Sequence, residues 1–134
     1  MIPKDKISKA NNVKKVDEIY NCLSEGLSTI EILQHVKIYN GRIKASNILS
    51  ENGKKEPITN IGEENIVGVE LLIDKTYKTI QFFSITSSVK GYGNQMVSSV
   101  IESTPEGWNI VVAMDWNHGF WQVMTEKYPR LVVF

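Results

Sequence analysis

The chain has 134 residues, with 15 basic and 15 acidic side chains, 42% apolar residues and three tryptophans. That suits one domain with a real core, and the charge balance removes any bulk electrostatic case for nucleic acid or an acidic membrane. A single cysteine, Cys22, excludes an internal disulfide and a cysteine zinc site, and two histidines far apart in sequence argue against a dedicated metal site.

No apolar run reaches membrane-spanning length, and the Lys-rich start lacks the apolar core of a signal peptide. The expected setting is a reduced cytoplasmic one, with no membrane partner. Residues 1–10 are polar and expected to be loosely held. Val13, Val16, Ile19, Tyr20 and Leu23 then recur at helical spacing, with Asn11 or Asn12 as N-cap and Gly26 as stop. This predicts a helix over 12–25. Ser28-Thr29-Ile30-Glu31 has the capping-box pattern and predicts a second, short helix to about His35.

Residues 36–49 admit two readings. Val36 to Tyr39 and Arg42 to Ala45 alternate around Asn40-Gly41, a strong hairpin signal. The stretch from about 20 to 49 also has the outline of a helix-turn-helix, with Arg42 to Leu49 as its recognition helix. We favour the hairpin, because Asn-Gly starts a recognition helix poorly and the net charge is not that of a DNA binder. Residues 50–64 read as a loop. Ile66 to Ile73 and Lys78 to Thr86 then read as antiparallel strands joined at Asp74 to Tyr77.

The next stretch organises the chain. A strand-like run ends near Ile85, and a helix-like run starts near Gln95, with Met96, Val97, Val100 and Ile101 on one stripe. Between them lie Lys90, Gly91, Tyr92, Gly93 and Asn94. A strand that turns tightly into a helix aims its first free N–H groups at one point, where the helix dipole also attracts anions. The two glycines permit positive φ and close approach of a ligand. The pattern suits a phosphate or pyrophosphate cradle, and equally a plain tight turn. Ile110 to Met114 is an unbroken apolar run, as in a strand buried on both faces. A helix over 117–127 and a strand over 131–134 follow. The layout is α+β (mixed α/β): a central, mostly antiparallel sheet with one parallel, splayed strand pair and helices on both faces.

Over about residues 66–134 the chain resembles the GNAT superfamily of N-acetyltransferases. That family has Arg/Gln-x-x-Gly-x-Gly/Ala at a strand-to-helix junction, and here the stretch reads Ser88-Val89-Lys90-Gly91-Tyr92-Gly93. Both glycines fit, and Ser88 stands where Arg or Gln is usual. A second segment of the family, an Asn followed by a helix ending Tyr-Glu-Lys, is matched by Asn117 and Thr125-Glu126-Lys127-Tyr128. The resemblance implies acetyl-CoA as donor, its pantetheine arm lying between two splayed parallel strands. Main-chain groups near Phe83 and Ile85 would pair with the arm, N–H groups from Lys90 to Asn94 would hold the pyrophosphate, and Asn117 would bond the arm.

Transfer to an amine needs a base, a stabilised thioester oxygen and an acid for the leaving thiolate. Glu70, amid apolar residues, is the first candidate base, and its other reading is the solvent face of a strand. Asp115, at the end of the buried strand, is the second, or the N-cap of the next helix. Tyr128, nearly one turn beyond the family's usual tyrosine position, is the candidate acid. The acceptor would be a primary amine on a small molecule, a protein or a modified base, and the last strand leaves an edge that a second copy could complete as a homodimer. The alternative is a binding module without catalysis, taking CoA, a protein or DNA.

Overall fold

The computed structural model describes residues 6–50, 56–59, 65–87, 91–112 and 119–133. Within them the chain runs β1 (Ile7–Lys9), α1 (Glu18–Ser28), β2 (His35–Tyr39), β3 (Arg42–Ser46), β4 (Val67–Asp74), β5 (Thr79–Ser87), α2 (Tyr92–Ser103), β6 (Asn109–Val112), α3 (Phe120–Lys127) and β7 (Leu131–Val133). The strands form one mixed sheet in sequence order. β2 to β5 is an antiparallel meander, while β1/β2, β5/β6 and β6/β7 pair in parallel. The α+β architecture expected from the sequence is the one observed.

Turn chemistry sets the meander. Tyr39 faces Arg42 across a two-residue loop in which Gly41, at φ 76°, supplies the left-handed residue. The Gly41 N–H donates to Tyr20 Oη at 2.9 Å, tying the hairpin tip to α1. At the next turn Asp74 Oδ1 accepts from the Tyr77 N–H at 3.1 Å. The recognition-helix reading of residues 42–49 is therefore overturned: Arg42 to Ser46 is a strand bonded on both sides.

One face of strands β2 to β7 forms the core. Val36, Ile38, Ile43, Ala45, Val69, Leu71, Ile80, Phe82, Ile85, Ile110, Val112 and Leu131 join a single cluster with the buried stripes of all three helices. The expected helices on both faces are thus corrected to helices on one face. The physical reason is chirality. β5–α2–β6 and β6–α3–β7 are successive parallel steps in one direction, and right-handed crossovers then place both helices on the same side. α1 packs beside α2 in the same layer, at Gly26, where a Cβ would come within 1.9 Å of Ser103 Oγ.

That contact explains a second correction. Gly26 does not stop α1, which continues to Ser28 because the glycine is needed for close helix approach. α1 also starts at Glu18, later than the apolar spacing implied, and its N-cap Asp17 makes no capping bond. The short helix expected over 28–35 is absent. Ser28 Oγ donates back to Glu25 O at 2.7 Å and Thr29 Oγ1 to Gly26 O at 2.6 Å, so these hydroxyls close α1 instead of capping a new helix.

Candidate functional site

β5 reaches Ser87, and α2 begins at Tyr92 with Gly91 as N-cap at φ 102° and ψ −28°. The glycine is required for its positive φ, and a Cβ there would meet nothing within 4 Å among the described residues. Among the described residues no side chain caps α2, and its first turn has no acidic residue. The Gln95 N–H, bonded to Gly91 O at 3.1 Å, is the first to find a helical partner. The N–H groups of Gly91, Tyr92, Gly93 and Asn94 therefore point out of the helix end.

Gly93 has a different task from the one its spacing suggested. It is helical, and a Cβ there would lie 2.9 Å from Phe120 Cε1. It makes room for α3 against α2, so Gly91 alone supplies the positive φ. Phe120 in turn meets Trp121 edge-on at 5.0 Å, and Trp121 meets Phe82 of β5 at 5.2 Å. This aromatic chain fixes α3 beside the N-terminus of α2.

The consequence is a polar cluster at that terminus. Tyr128 Oη and Lys127 Nζ each donate to Asn94 Oδ1 at 3.3 Å. Tyr128 and Asn94, singled out separately in the sequence, are thus brought together. Lys127 entered only as part of the family-like segment, because nothing local signals that a lysine 33 positions away reaches Asn94. A cation beside a helix N-terminus opposes the helix dipole, an arrangement that an anion would stabilise.

The second element is the β5/β6 pair. Its parallel register runs from Thr79↔Asn109 to Phe82↔Val112, and β5 continues to Ser87 without a further β6 partner among the described residues. The β4/β5 register also shifts here: Glu70 faces Ser84 and Leu71 faces Phe82, so Phe83 is the extra residue of a bulge. A bulge bends and twists its strand. It sits where the β5/β6 pairing ends, and Phe83 there is 51% exposed. Ile85, two residues on, is buried in the core.

Glu70 lies on the helix-free face and is nonetheless buried, at 5% exposure. Residues 56–59 strap over it. Thr59 Oγ1 donates to Glu70 Oε1 at 3.1 Å, and Ser84 Oγ donates to Thr59 O at 3.2 Å. Arg42 Nη1 forms an ion pair with Glu70 Oε2 at 2.7 Å. Gly68 lets the strap lie flat, since a Cβ there would come within 3.0 Å of Ile58 O. Nearby, the Tyr39 phenol is held well above its ordinary pKa, first by burial and then by the charge of Glu56. Glu70 and Tyr128 therefore belong to opposite sides of the sheet. Lys90, Asp115 and Asn117, also named from the sequence, lie outside the described residues.

Two surface hollows accompany these elements. One of about 630 Å³ runs from Asn94 and Gln95 between α1 and α2, past Thr29, Ser99 and Ser103. The other, about 550 Å³, lies at the far end of the sheet by Tyr20, Gly41 and Lys75. Among the described residues no group of acidic, histidine or cysteine side chains could hold a metal ion, and no helix is long and apolar enough to cross a membrane. No protein-family model, curated protein or solved structure matches the chain.

Proposed function

We propose that the chain is an N-acyltransferase that moves an acetyl group from acetyl-CoA to a primary amine. One observation carries this reading. The N–H groups of Gly91 to Asn94 have no side-chain cap among the described residues, Lys127 reaches Asn94 at the same end of α2, and β5, which leads to that helix, outruns its pairing with β6 among the described residues. A diphosphate suits the first feature, and an extended arm with amide groups suits the exposed strand edge.

The residues present fit such a donor, which when bound supplies an activated thioester. Gly91 to Asn94 hold the pyrophosphate by backbone donors, with Lys127, and Lys90 outside the described residues, adding charge. The main-chain groups of β5 near Phe83 and Ile85, without a β6 partner among the described residues, pair with the arm, and Asn117, outside the described residues, is expected to bond it. A β5 N–H polarises the thioester carbonyl. Glu70 takes the proton of the attacking ammonium: Oε1 accepts one hydrogen bond, from Thr59, while buried Oε2 is ion-paired with Arg42 but has no hydrogen-bond partner among the described residues, so both oxygens keep a lone pair for a further donor. Asp115 is the second candidate for that role. Tyr128 Oη, now turned to Asn94, delivers a proton to the departing thiolate. Base and acid act from opposite faces of the sheet, across residues 83–86 of β5, which have no β6 partner among the described residues.

Calorimetric titration with acetyl-CoA tests the reading. Binding near the micromolar range is expected for the wild type, with at least a tenfold loss in Gly91→Glu, where bulk and negative charge enter at the N-terminus of α2. Absence of wild-type binding would refute the proposal. Binding without thiol release toward any amine would leave a module that holds the donor but does not use it. Glu70→Gln and Tyr128→Phe should each lower turnover by about tenfold or more.

A further inference from the structure

The hollow by Tyr20, Gly41 and Lys75 has no part in acetyl transfer. Three segments meet there: the approach to α1, the Asn40-Gly41 hairpin tip and the β4–β5 turn. Its volume is about 550 Å³, the size of a small-molecule site, and every residue that lines it is described. The nine residues of β5, about 27 Å, separate this end of the sheet from the N-terminus of α2.

The lining has an apolar part and a polar part. Val13, Val16, Ile38 and Ile73 supply apolar surface, and all but Val16 are fully buried. Tyr20 stands among them at 7% exposure. Its Oη accepts from the Gly41 N–H at 2.9 Å, and its own proton has no acceptor among the described residues. A buried donor with its proton unspent favours a ligand that brings an acceptor oxygen.

Two cations and two acids line the same hollow, so long-range attraction contributes little and the fit is local. Lys75 donates to Asp17, and these two charges answer each other. Asp74 accepts from the Tyr77 N–H of its own turn. Lys15 makes no ion pair among the described residues. One unpaired ammonium and one unspent hydroxyl match a single carboxylate, which can accept from both. A phosphate dianion would bring a second negative charge toward Asp17 and Asp74. An alkylammonium has no acceptor to offer Tyr20.

We propose that this hollow binds a small apolar monocarboxylate, its chain on Val13, Val16, Ile38 and Ile73 and its carboxylate on Tyr20 and Lys15. Such a ligand ties the approach to α1 to the hairpin tip and the β4–β5 turn, so it stabilises the fold. The proposal stands whether or not acetyl-CoA binds at α2.

Calorimetric titration of the whole chain with octanoate tests it. One site with a Kd of about 0.1–1 mM is expected for a ligand of this size. The melting temperature should rise with octanoate concentration. Lys15→Gln, an exposed substitution that breaks no ion pair, should weaken binding roughly tenfold. Tyr20→Phe should weaken it at least as much, although it also removes the acceptor of the Gly41 N–H. Val16→Phe, which fills part of the hollow, should abolish binding, and Gly91→Glu should leave it unchanged. Circular dichroism checks that each variant is folded. The proposal is overturned by no saturable binding, by octylamine or octyl phosphate bound as tightly, by indifference to Lys15→Gln, or by competition from acetyl-CoA.

Discussion

Glu70 and Leu71 are neighbours on β4, and both are buried, yet they belong to two kinds of interior. Leu71 is fully enclosed under the helices, in a cluster that draws on every strand but the first. Its contribution is the removal of apolar area from water, roughly 1.5–3 kcal/mol, and it depends on no single partner. Glu70 is enclosed by a four-residue strap and two named groups, Thr59 and Arg42. Its burial is tolerable only while those partners stay in place. One face of the sheet is stabilised by area, and the other by a short set of specific pairs.

Leu71→Ala and Arg42→Met separate these cases. Leu71→Ala should cost about 2–5 kcal/mol in chemical denaturation, the usual range for an enclosed leucine. Arg42→Met should cost about 1–3 kcal/mol, below the full penalty of an unpaired buried carboxylate because the Arg42 side chain is 42% exposed and water can reach the vacated side. Adding Glu70→Leu to Arg42→Met should recover most of that loss, whereas no second substitution at a distant polar site should rescue Leu71→Ala. If Arg42→Met were neutral, the strap side would be solvated, and the contrast between the faces would fail.

The same contrast explains what could be read from the sequence. The hairpin at Asn40-Gly41, the β4 and β5 strands, the α2 stripe and the apolar run of β6 follow from local turn chemistry and periodicity, and all are present. The misreadings involve partners distant in sequence. Gly26 looked like a helix stop, but it serves Ser103 on another helix. Ser28 and Thr29 looked like a new N-cap, but their hydroxyls had carbonyls of the preceding turn within reach. At the candidate site, Gly91, Asn94, Tyr128 and Glu70 were each legible as residue types in a pattern. That Tyr128 and Lys127 converge on Asn94, and that Thr59 and Arg42 hold Glu70, depends on packing that no local pattern encodes.

Gly26 offers a sharper test on the helix-covered side. Gly26→Ala places a methyl group 1.9 Å from Ser103 Oγ and 2.9 Å from Ser103 Cβ, so α1 and α2 must move apart. Helix propensity favours the alanine by about 1 kcal/mol, while overpacking opposes it by about 1–3 kcal/mol, so a net loss near 1 kcal/mol is expected. In a Ser103→Gly background only the milder 3.2 Å contact with Ser99 Oγ remains, and Gly26→Ala should lose most of its penalty. A double-mutant cycle with no coupling would mean that the two helices do not meet at this point.

The smallest effect should come from the exposed ion pair that links the N-cap of α1 to the β4–β5 turn. Lys75 donates to Asp17, and this bond, more than the accompanying charges of Lys75 and Lys15, holds the Asp17 carboxyl below its ordinary value of 3.8. The same bond raises Lys75 above 10.5. The depressed acid contributes stability that is present above pH 3.8 and lost as pH falls through its folded value. The raised base contributes stability that is present below pH 10.5 and lost as pH rises through its folded value. A melting-temperature comparison of wild type with Lys75→Met should therefore show a small, flat gap between these limits that closes at both ends and narrows with added salt. A gap that persisted unchanged in acid would show that Lys75 acts through packing of its stem, and the charge pairing at this turn would be without consequence.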